Sequence, residues 1–368
     1  MYRSDPAPSR RLRRARTIAW AAFYLLDGLL VLLFALGYVN AYLPFDTLWW
    51  AELVAIGLPY LALLLAPAAL VAALGRRWLL LGLHGTLLLL FGARLATPAR
   101  LAPGPAPGPT DLTILTFNVP PGRVHPEGMR ALLRDVDPEV VCLQEAGVAY
   151  YVSSPPFVRA QPYLQEVIDS TAYRSDRPKG RGDFYTPQPF FSRIPVDSVF
   201  KIVFRHEHDP KVITYVSRAE LRWQGRPFVL YNLHLNSFGN EKPWHEEALL
   251  DPRLWRAYLH RYREAFRIRA WEVEQIQALL ARETTPVVVC GDFNSTPFNR
   301  AYERLAAGRT DAFRAAGHGW GMTYHSRLPF ARIDFVLVDP RWEVVSARGV
   351  PVHLSDHRPL VARLRWRE

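Results

Sequence analysis

Residues 286–297 read PVVVCGDFNSTP. Val287 to Cys290 form a run apolar at every position and too short for a helix, which predicts a strand covered on both faces. Asp292 and Asn294 follow at once, so a carboxylate and an amide stand where a buried strand leaves the core. Five more runs read as strands: LTILTFNV (112–119), EVVCLQEA (139–146), FVLYNLHL (228–235), RIDFVLVD (332–339) and LVARLRW (360–366). Helices are expected at Glu127 to Val136 and from Arg253 to Arg282. Strands of this kind mixed with helices imply an α/β sandwich rather than a half-exposed antiparallel sheet.

The polar residues carry the functional signal. Asn118, Glu145, His234, Asn236, Asp292, Asn294, Asp334, Asp356 and His357 are each expected at the carboxyl end of a buried strand or in the loop just after it, where they can converge on one rim. Each alone has an ordinary explanation as a turn residue, a cap or a satisfied core histidine. The full set in this order points to a site. Glu145, Asp292, Asp356, Asn118 and Asn294 offer hard oxygen ligands suited to Mg²⁺ or Mn²⁺. His234 and His357 offer proton transfer near neutral pH, with Asp334 able to hold an imidazole in one tautomer. No Cys or His cluster has zinc spacing. Hard metal, imidazole and carboxylate together read as phosphate-ester hydrolysis.

The segments TFNV (116–119), LQE (143–145), FFSRIPV (190–196), NLHL (232–235), GDFNSTP (291–297), RIDFV (332–336) and SDHRPL (355–360) occur in the order found in the endonuclease/exonuclease/phosphatase superfamily, which residues 111–368 resemble throughout. The resemblance implies a DNase I-like four-layer α/β sandwich, two mixed sheets packed face to face and flanked by helices, with the site at one rim. It implies Glu145 as principal metal ligand supported by Asn118, with Asp356 as a further metal ligand or a carboxylate behind one. Asp292 and Asn294 are expected to position the attacking water and hold the phosphate. His357, paired with Asp334, is expected at the scissile phosphate, His234 near the leaving group, and Asn236 and Arg193 against the substrate. Pro120 stands where abasic-site endonucleases carry an acid, which turns the reading away from DNA repair.

Two other classes are weighed against the hydrolase. A catalytically silent membrane scaffold has no use for this set of acids, amides and histidines. A serine hydrolase using Ser355 or Ser237 with His357 lacks a G-x-S-x-G elbow. Within the hydrolases, a lipid headgroup, a sugar phosphate and a nucleic acid all stay open as substrates, and no protein partner is inferable. Residues 240–269, rich in Trp, Tyr, Arg and His, are expected either to meet lipid headgroups or bases or to pack Leu254, Tyr258, Tyr262 and Phe266 onto the sandwich.

The 368 residues divide into two compositions. Residues 17–95 are almost wholly apolar, interrupted by Asp27, Asp46, Glu52, Arg76, Arg77, His84 and Arg94. They are drawn as three membrane spans within 17–96, from Thr17 to Leu43, Leu48 to Leu74 and Trp78 to about Leu95, each near the ~20 residues a bilayer requires. Residues 1–16 form a basic tail expected in the cytoplasm, so that three crossings place the catalytic domain outside. Asp27 is read as a buried partner of a neighbouring helix or of His84. Residues 97–110, with five prolines and two glycines, are read as a semi-rigid spacer. Of the net charge of +11, residues 1–110 hold ten Arg against four acids, which leaves a surplus of only five for the rest. That balance neither demands nor excludes nucleic acid. Cys142 and Cys290 are expected as buried free thiols.

Overall fold

The computed structural model describes residues 10–95, 108–120, 124–151, 157–160, 164, 173–174, 184–207, 209–239, 251–319, 321–327 and 329–367. The chain forms two units, Met1–Leu95 and Ala96–Glu368. The first part of the expected basic tail and nearly all of the expected spacer lie outside the described residues.

In the first unit α1 (Arg10–Val39) absorbs the second half of that tail into a 30-residue helix. A 3₁₀ turn (Asn40–Tyr42) leads to α2 (Phe45–Leu48), α3 (Ala51–Ile56), α4 (Leu58–Leu74) and α5 (Trp78–Leu95). Among the described residues one helix, Arg13–Tyr42, is long and apolar enough to cross a membrane, and only 11% of its apolar window is buried. The expectation of three spans is corrected to one. The second run breaks after Leu48 and again at Gly57, where Pro59 enters the first turn of α4. A proline there lacks the N–H that would continue the preceding helix, so the run restarts. The remaining α4 and the third run, α5, are apolar but shorter than α1. Asp27 is buried against His84, Oδ1 to Nε2 at 2.7 Å, which is the structural pairing read from the sequence.

The second unit contains β1 (Leu112–Asn118), α6 (Pro126–Val136), β2 (Val140–Gln144), β3 (Val148–Tyr151), β4 (Phe157–Ala160), β5 (Phe184–Thr186), β6 (Phe190–Ser192), β7 (Val196–Arg205), β8 (Ile213–Trp223) and β9 (Arg226–His234). It continues through α7 (Pro252–Leu280), β10 (Val287–Asp292), α8 (Arg300–Ala306), β11 (Thr310–Asp311), α9 (Ala312–Ala316), β12 (Gly317–His318), β13 (Asp334–Val338), β14 (Trp342–Gly349) and β15 (Leu360–Trp366). The strands form two six-stranded sheets, β12-β14-β15-β1-β2-β6 and β11-β13-β10-β9-β8-β7, and a small sheet β4-β3-β5. Each large sheet has a central parallel pair, β1 with β2 and β9 with β10, and the two-residue β12 adds a further parallel pairing with β14 at the edge of the first sheet. The central pairs each need a crossover, which α6 and α7 supply.

Alternation along the strands sets the layers. In β1, Leu112 and Ile114 face the other sheet while Leu115 and Phe117 pack toward α6. In β10, Val288 and Cys290 join the inter-sheet core while Val287 and Val289 pack toward α7 and α8. The α6 face follows the helical period, with Met129, Leu132, Leu133 and Val136 buried. The order is helix, sheet, sheet, helix, and both cysteines are buried and free.

Candidate active site

Because β1, β2, β9 and β10 belong to parallel pairs, their carboxyl ends Asn118, Gln144, His234 and Asp292 finish in register, with Asn118 opposite Gln144 and His234 opposite Asp292. Asp334, Asp356 and His357 arrive differently from the expectation. Asp334 is the first residue of β13 and pairs with Asp292 across an antiparallel ladder. Asp356 and His357 precede β15, which is antiparallel to β1. The amino end of an antiparallel strand lies at the carboxyl end of its neighbour, so both routes lead to one rim.

The geometry there is close. Asn118 Nδ2 donates to Glu145 Oε1 at 3.0 Å and to Asp292 Oδ2 at 2.9 Å. His234 Nε2 lies 3.5 Å from Glu145 Oε1 and 3.7 Å from Asp292 Oδ2. Asp292 Oδ1 accepts from the Asn294 backbone N–H at 2.8 Å, and Asn294 Nδ2 donates to the Leu235 carbonyl at 2.9 Å. His357 Nδ1 and Asp334 Oδ2 meet at 2.9 Å, and His357 Nε2 is 3.7 Å from Asp292 Oδ2. Asp356 Oδ1 accepts from the Ser355 hydroxyl at 3.2 Å.

The backbone is bent to fit. Glu145 and Asn294 both adopt left-handed φ, +58° and +47°, a region that costs a non-glycine residue free energy and recurs at functional sites. Gly291 has φ +135°, and a Cβ there would stand 1.9 Å from the Leu233 carbonyl oxygen. Only glycine lets β10 approach β9 closely enough to align Asp292 with His234.

Burial by itself would depress the His357 imidazole. The charges of Asp334, Asp292 and Asp356 outweigh it and hold the ring up at about 9. Burial lifts the Asp334 carboxyl above the ordinary carboxylate range, against the pull of His357.

Two groups of donors are available to a cation. Asp292, Asp334 and His357 place ligand atoms within 4.8 Å of one another, but Asp334 Oδ2 and His357 Nδ1 already bind each other. The Glu145 side fits a hard cation better. Glu145 is partly exposed, and the buried atoms Asn118 Oδ1 and His234 Nε2 have no hydrogen-bond partner. Unsatisfied buried polar atoms beside two carboxylates match the oxygen-rich surroundings that Mg²⁺ or Mn²⁺ takes.

Of the two expected substrate residues, Arg193 is placed away from the rim and Asn236 is placed at it. Arg193 follows β6, whose Ser192 pairs with Val140 at the amino end of β2, the opposite end from Glu145. Its guanidinium donates to Asp137 Oδ1 at 2.6 Å and to the Asp137 carbonyl at 2.8 Å. The antiparallel sense of β6 takes Arg193 away from the rim. Asn236 lies at the rim, where its backbone N–H donates to Glu272 Oε2 at 2.8 Å.

The structure adds supporting residues that the sequence reading missed. Arg269, 1% exposed on α7, donates through Nη1 to the Asn294 carbonyl and to Ser295 Oγ at 3.2 Å. Glu272, one turn further on, holds Asn236 and accepts from Thr214 Oγ1 at 2.6 Å. Beneath the rim Gln144 Nε2 donates to Asn232 Oδ1 at 2.7 Å, joining the two sheets. The available signal was a charged pair three residues apart on the same helical face as Tyr262, Phe266 and Val273, together with amides inside otherwise apolar strands.

Comparisons with known proteins give the family. A model of the Endonuclease/Exonuclease/phosphatase family matches residues 115–357. No curated protein matches the chain in sequence. Among solved structures, an endonuclease/exonuclease/phosphatase from Bacteroides vulgatus is 22% identical, with 70% of this chain and 100% of that one covered and a TM-score of 0.47. An endonuclease/exonuclease/phosphatase family protein from Bacteroides thetaiotaomicron is 15% identical, with 70% and 98% covered and a TM-score of 0.49. A mannosyl-6-phosphatase from Bacteroides thetaiotaomicron is 16% identical, with 69% and 100% covered and a TM-score of 0.49. The family match spans well over half the chain and both ends of the rim, from the first strand to His357, and on that basis the chain belongs to the endonuclease/exonuclease/phosphatase family of hydrolases acting on phosphate esters.

Proposed function

We propose that this protein is a membrane-anchored, Mg²⁺- or Mn²⁺-dependent phosphoesterase that cleaves its ester by in-line attack of water on phosphorus. The observation that carries this reading is the convergence of Asn118, Glu145, His234, Asp292, Asn294 and the Asp334–His357 pair at one sheet rim. Glu145 and Asn118 would hold the metal, with Asp356 the further carboxylate nearby. When bound, the metal supplies positive charge for the phosphate oxygens and makes a water more acidic.

The chain's own groups do the rest. Asp292, fixed by Asn118 and by the Asn294 N–H, is placed to orient the attacking water and accept its proton. His357, kept protonated by Asp334, stabilises the charge that develops on the phosphate oxygens. His234 is available to protonate the departing oxygen. Asn294 is fixed by the Leu235 carbonyl and lies where it can contact the phosphate. Ser355 is not drawn into this chemistry as a nucleophile: its hydroxyl donates to Asp356 and also accepts from the His357 backbone N–H.

The anchor is α1. A core helix of a soluble protein is mostly buried, whereas Ile18, Leu25, Leu26 and Leu29 of α1 are exposed, as a lipid-facing helix requires. Arg10, Arg11, Arg13, Arg14 and Arg16 precede its apolar part. The positive-inside rule then keeps that end in the cytoplasm, and a single crossing leaves the catalytic unit outside. The test is turnover of a water-soluble phosphodiester by the purified chain. EDTA should abolish it and Mg²⁺ or Mn²⁺ restore it; activity that survives chelation rejects the reading.

A further inference from the structure

The helix α7 does more than close the sandwich. Its lower half packs on the second sheet through Val273, Ile276 and Leu280, in one cluster with Val287 at the start of β10. Its middle reaches the rim, where Arg269 holds Asn294 and Glu272 holds Asn236. The helix therefore descends from the rim, and residues before about 266 stand above it beside the site. Phe238, from the loop that follows His234, packs on Tyr262 and Phe266 with ring centroids 4.5 and 5.2 Å away. Beyond that contact none of residues 252–261 is buried. At 1.5 Å per residue this is a pillar roughly 15 Å tall beside the catalytic mouth.

Its surface is two-sided. Arg253, Arg256, His260, Arg263 and Arg267 are all exposed, and their alternating spacing of three and four residues puts them on one helical face. Leu254, Trp255, Tyr258 and Leu259 continue upward the apolar stripe that Tyr262 and Phe266 bury lower down. Leu254, Trp255 and Leu259 are 40%, 38% and 41% exposed. No acid occurs between Asp251, which caps the helix, and Glu264.

We infer that the projecting half of α7 docks on an anionic lipid surface and presents the catalytic rim to phosphate esters in that surface. The inference rests on the phosphoesterase reading above and names the surface from which its substrate is taken. An arginine-rich face opposite Trp and Leu is the pattern of a helix lying in a bilayer interface, with its apolar side in the headgroup region and its cations on lipid phosphates. A nucleic acid would use the cations but leaves the two leucines without a role, since bases stack on aromatic rings. The same chain carries a helix apolar enough for a bilayer.

The test places a reporter on the pillar of the full-length protein. Cys142 and Cys290 are buried, so an environment-sensitive fluorophore on Leu259→Cys reports that position, and one on Glu343→Cys reports the opposite end of the sandwich. The protein is mixed with phosphatidylcholine vesicles, with phosphatidylcholine–phosphatidylglycerol vesicles, and with a short single-stranded oligonucleotide. The expected result is a blue shift at 259 with phosphatidylglycerol and at least twofold stronger quenching by nitroxide-labelled lipid than at 343. Charge reversal at Arg253, Arg256 and Arg263 should return the 259 probe to its aqueous emission. Equal signals at 259 and 343, no dependence on anionic lipid, or a response to the oligonucleotide alone overturns the inference. Turnover of a water-soluble phosphodiester, measured beside it on the unlabelled protein, separates the two claims. Its loss rejects the hydrolase reading and leaves the probe result standing.

Discussion

Replacing Asp334 by Asn removes one charge from the buried pair with His357 while keeping the shape of the side chain. The two side chains are 1% and 7% exposed and meet at 2.9 Å, so little water screens them. Burial alone would lower the imidazole, yet Asp334, Asp292 and Asp356 bring it up to about 9. Against an ordinary value of about 6.5 this is a preference of about 3 kcal/mol for the charged ring, which is then protonated in roughly 99 of 100 molecules at pH 7. With Asp334 neutral, only Asp292 and Asp356 oppose burial. The His357 midpoint in the metal-free protein, followed by imidazole ¹⁵N NMR, should fall by about two units or more. Turnover of a water-soluble phosphodiester at saturating Mg²⁺ should fall about 10² to 10⁴-fold, the range for losing a group that orients and charges a catalytic imidazole. Stability should move the same way. A pKa raised on folding contributes stability that is present below about pH 6.5 and is lost as pH rises through about 9. The lifted Asp334 carboxyl slopes the same way, its stability loss beginning lower, as pH rises through the carboxylate range, so the decline between about 6.5 and 9 is set by His357. The thermal midpoint of the metal-free wild type should therefore decline across that window, and that of Asp334→Asn should stay nearly level. An Asn variant whose His357 still titrates near 9, or which retains turnover within about threefold of wild type, refutes the reasoning.

Asp292→Ala should lower turnover by at least about 10²-fold, with the far-UV circular dichroism spectrum unchanged, because it removes the carboxylate shared by Asn118 and Asn294. Gly291→Ala should destabilise the catalytic unit by at least about 2 kcal/mol in chemical denaturation, since its Cβ would meet backbone rather than a movable side chain. Arg193→Ala should leave the KM for a small soluble ester within about twofold, because Arg193 is tied to Asp137 at the far end of the sheet; a tenfold rise would return it to the substrate site. A carboxyl-terminal reporter fusion should be active only outside the cytoplasm, and activity inside would reverse the proposed orientation.

Much of the site was legible in the one-dimensional pattern. GDFN, NLHL and SDH each pair an apolar run with polar residues at its end, and a buried strand can release polar groups only where it leaves the core. The membrane part was less legible, because hydropathy reports composition while Gly57 and Pro59 decide where a helix stops. Arg193 sits in a matching motif, but a motif carries no strand direction, and the antiparallel β6 turns it away from the rim. Asp334 and His357 were correctly paired in sequence and structure alike, although they reach the rim by the amino ends of their strands.

By itself the sequence determined the residue chemistry: which strands are buried on both faces, which polar groups interrupt them, and that an arginine-rich, apolar segment precedes a hydrolase unit. These follow from local composition and period. Only the tertiary structure decided direction and support. It set the antiparallel arrivals of Asp334 and His357, the shared amide of Asn118, the anchoring of two rim loops by Arg269 and Glu272, and the projection of α7 beside the site. Such features depend on strand sense and on contacts between residues far apart in the chain, and no local pattern encodes either.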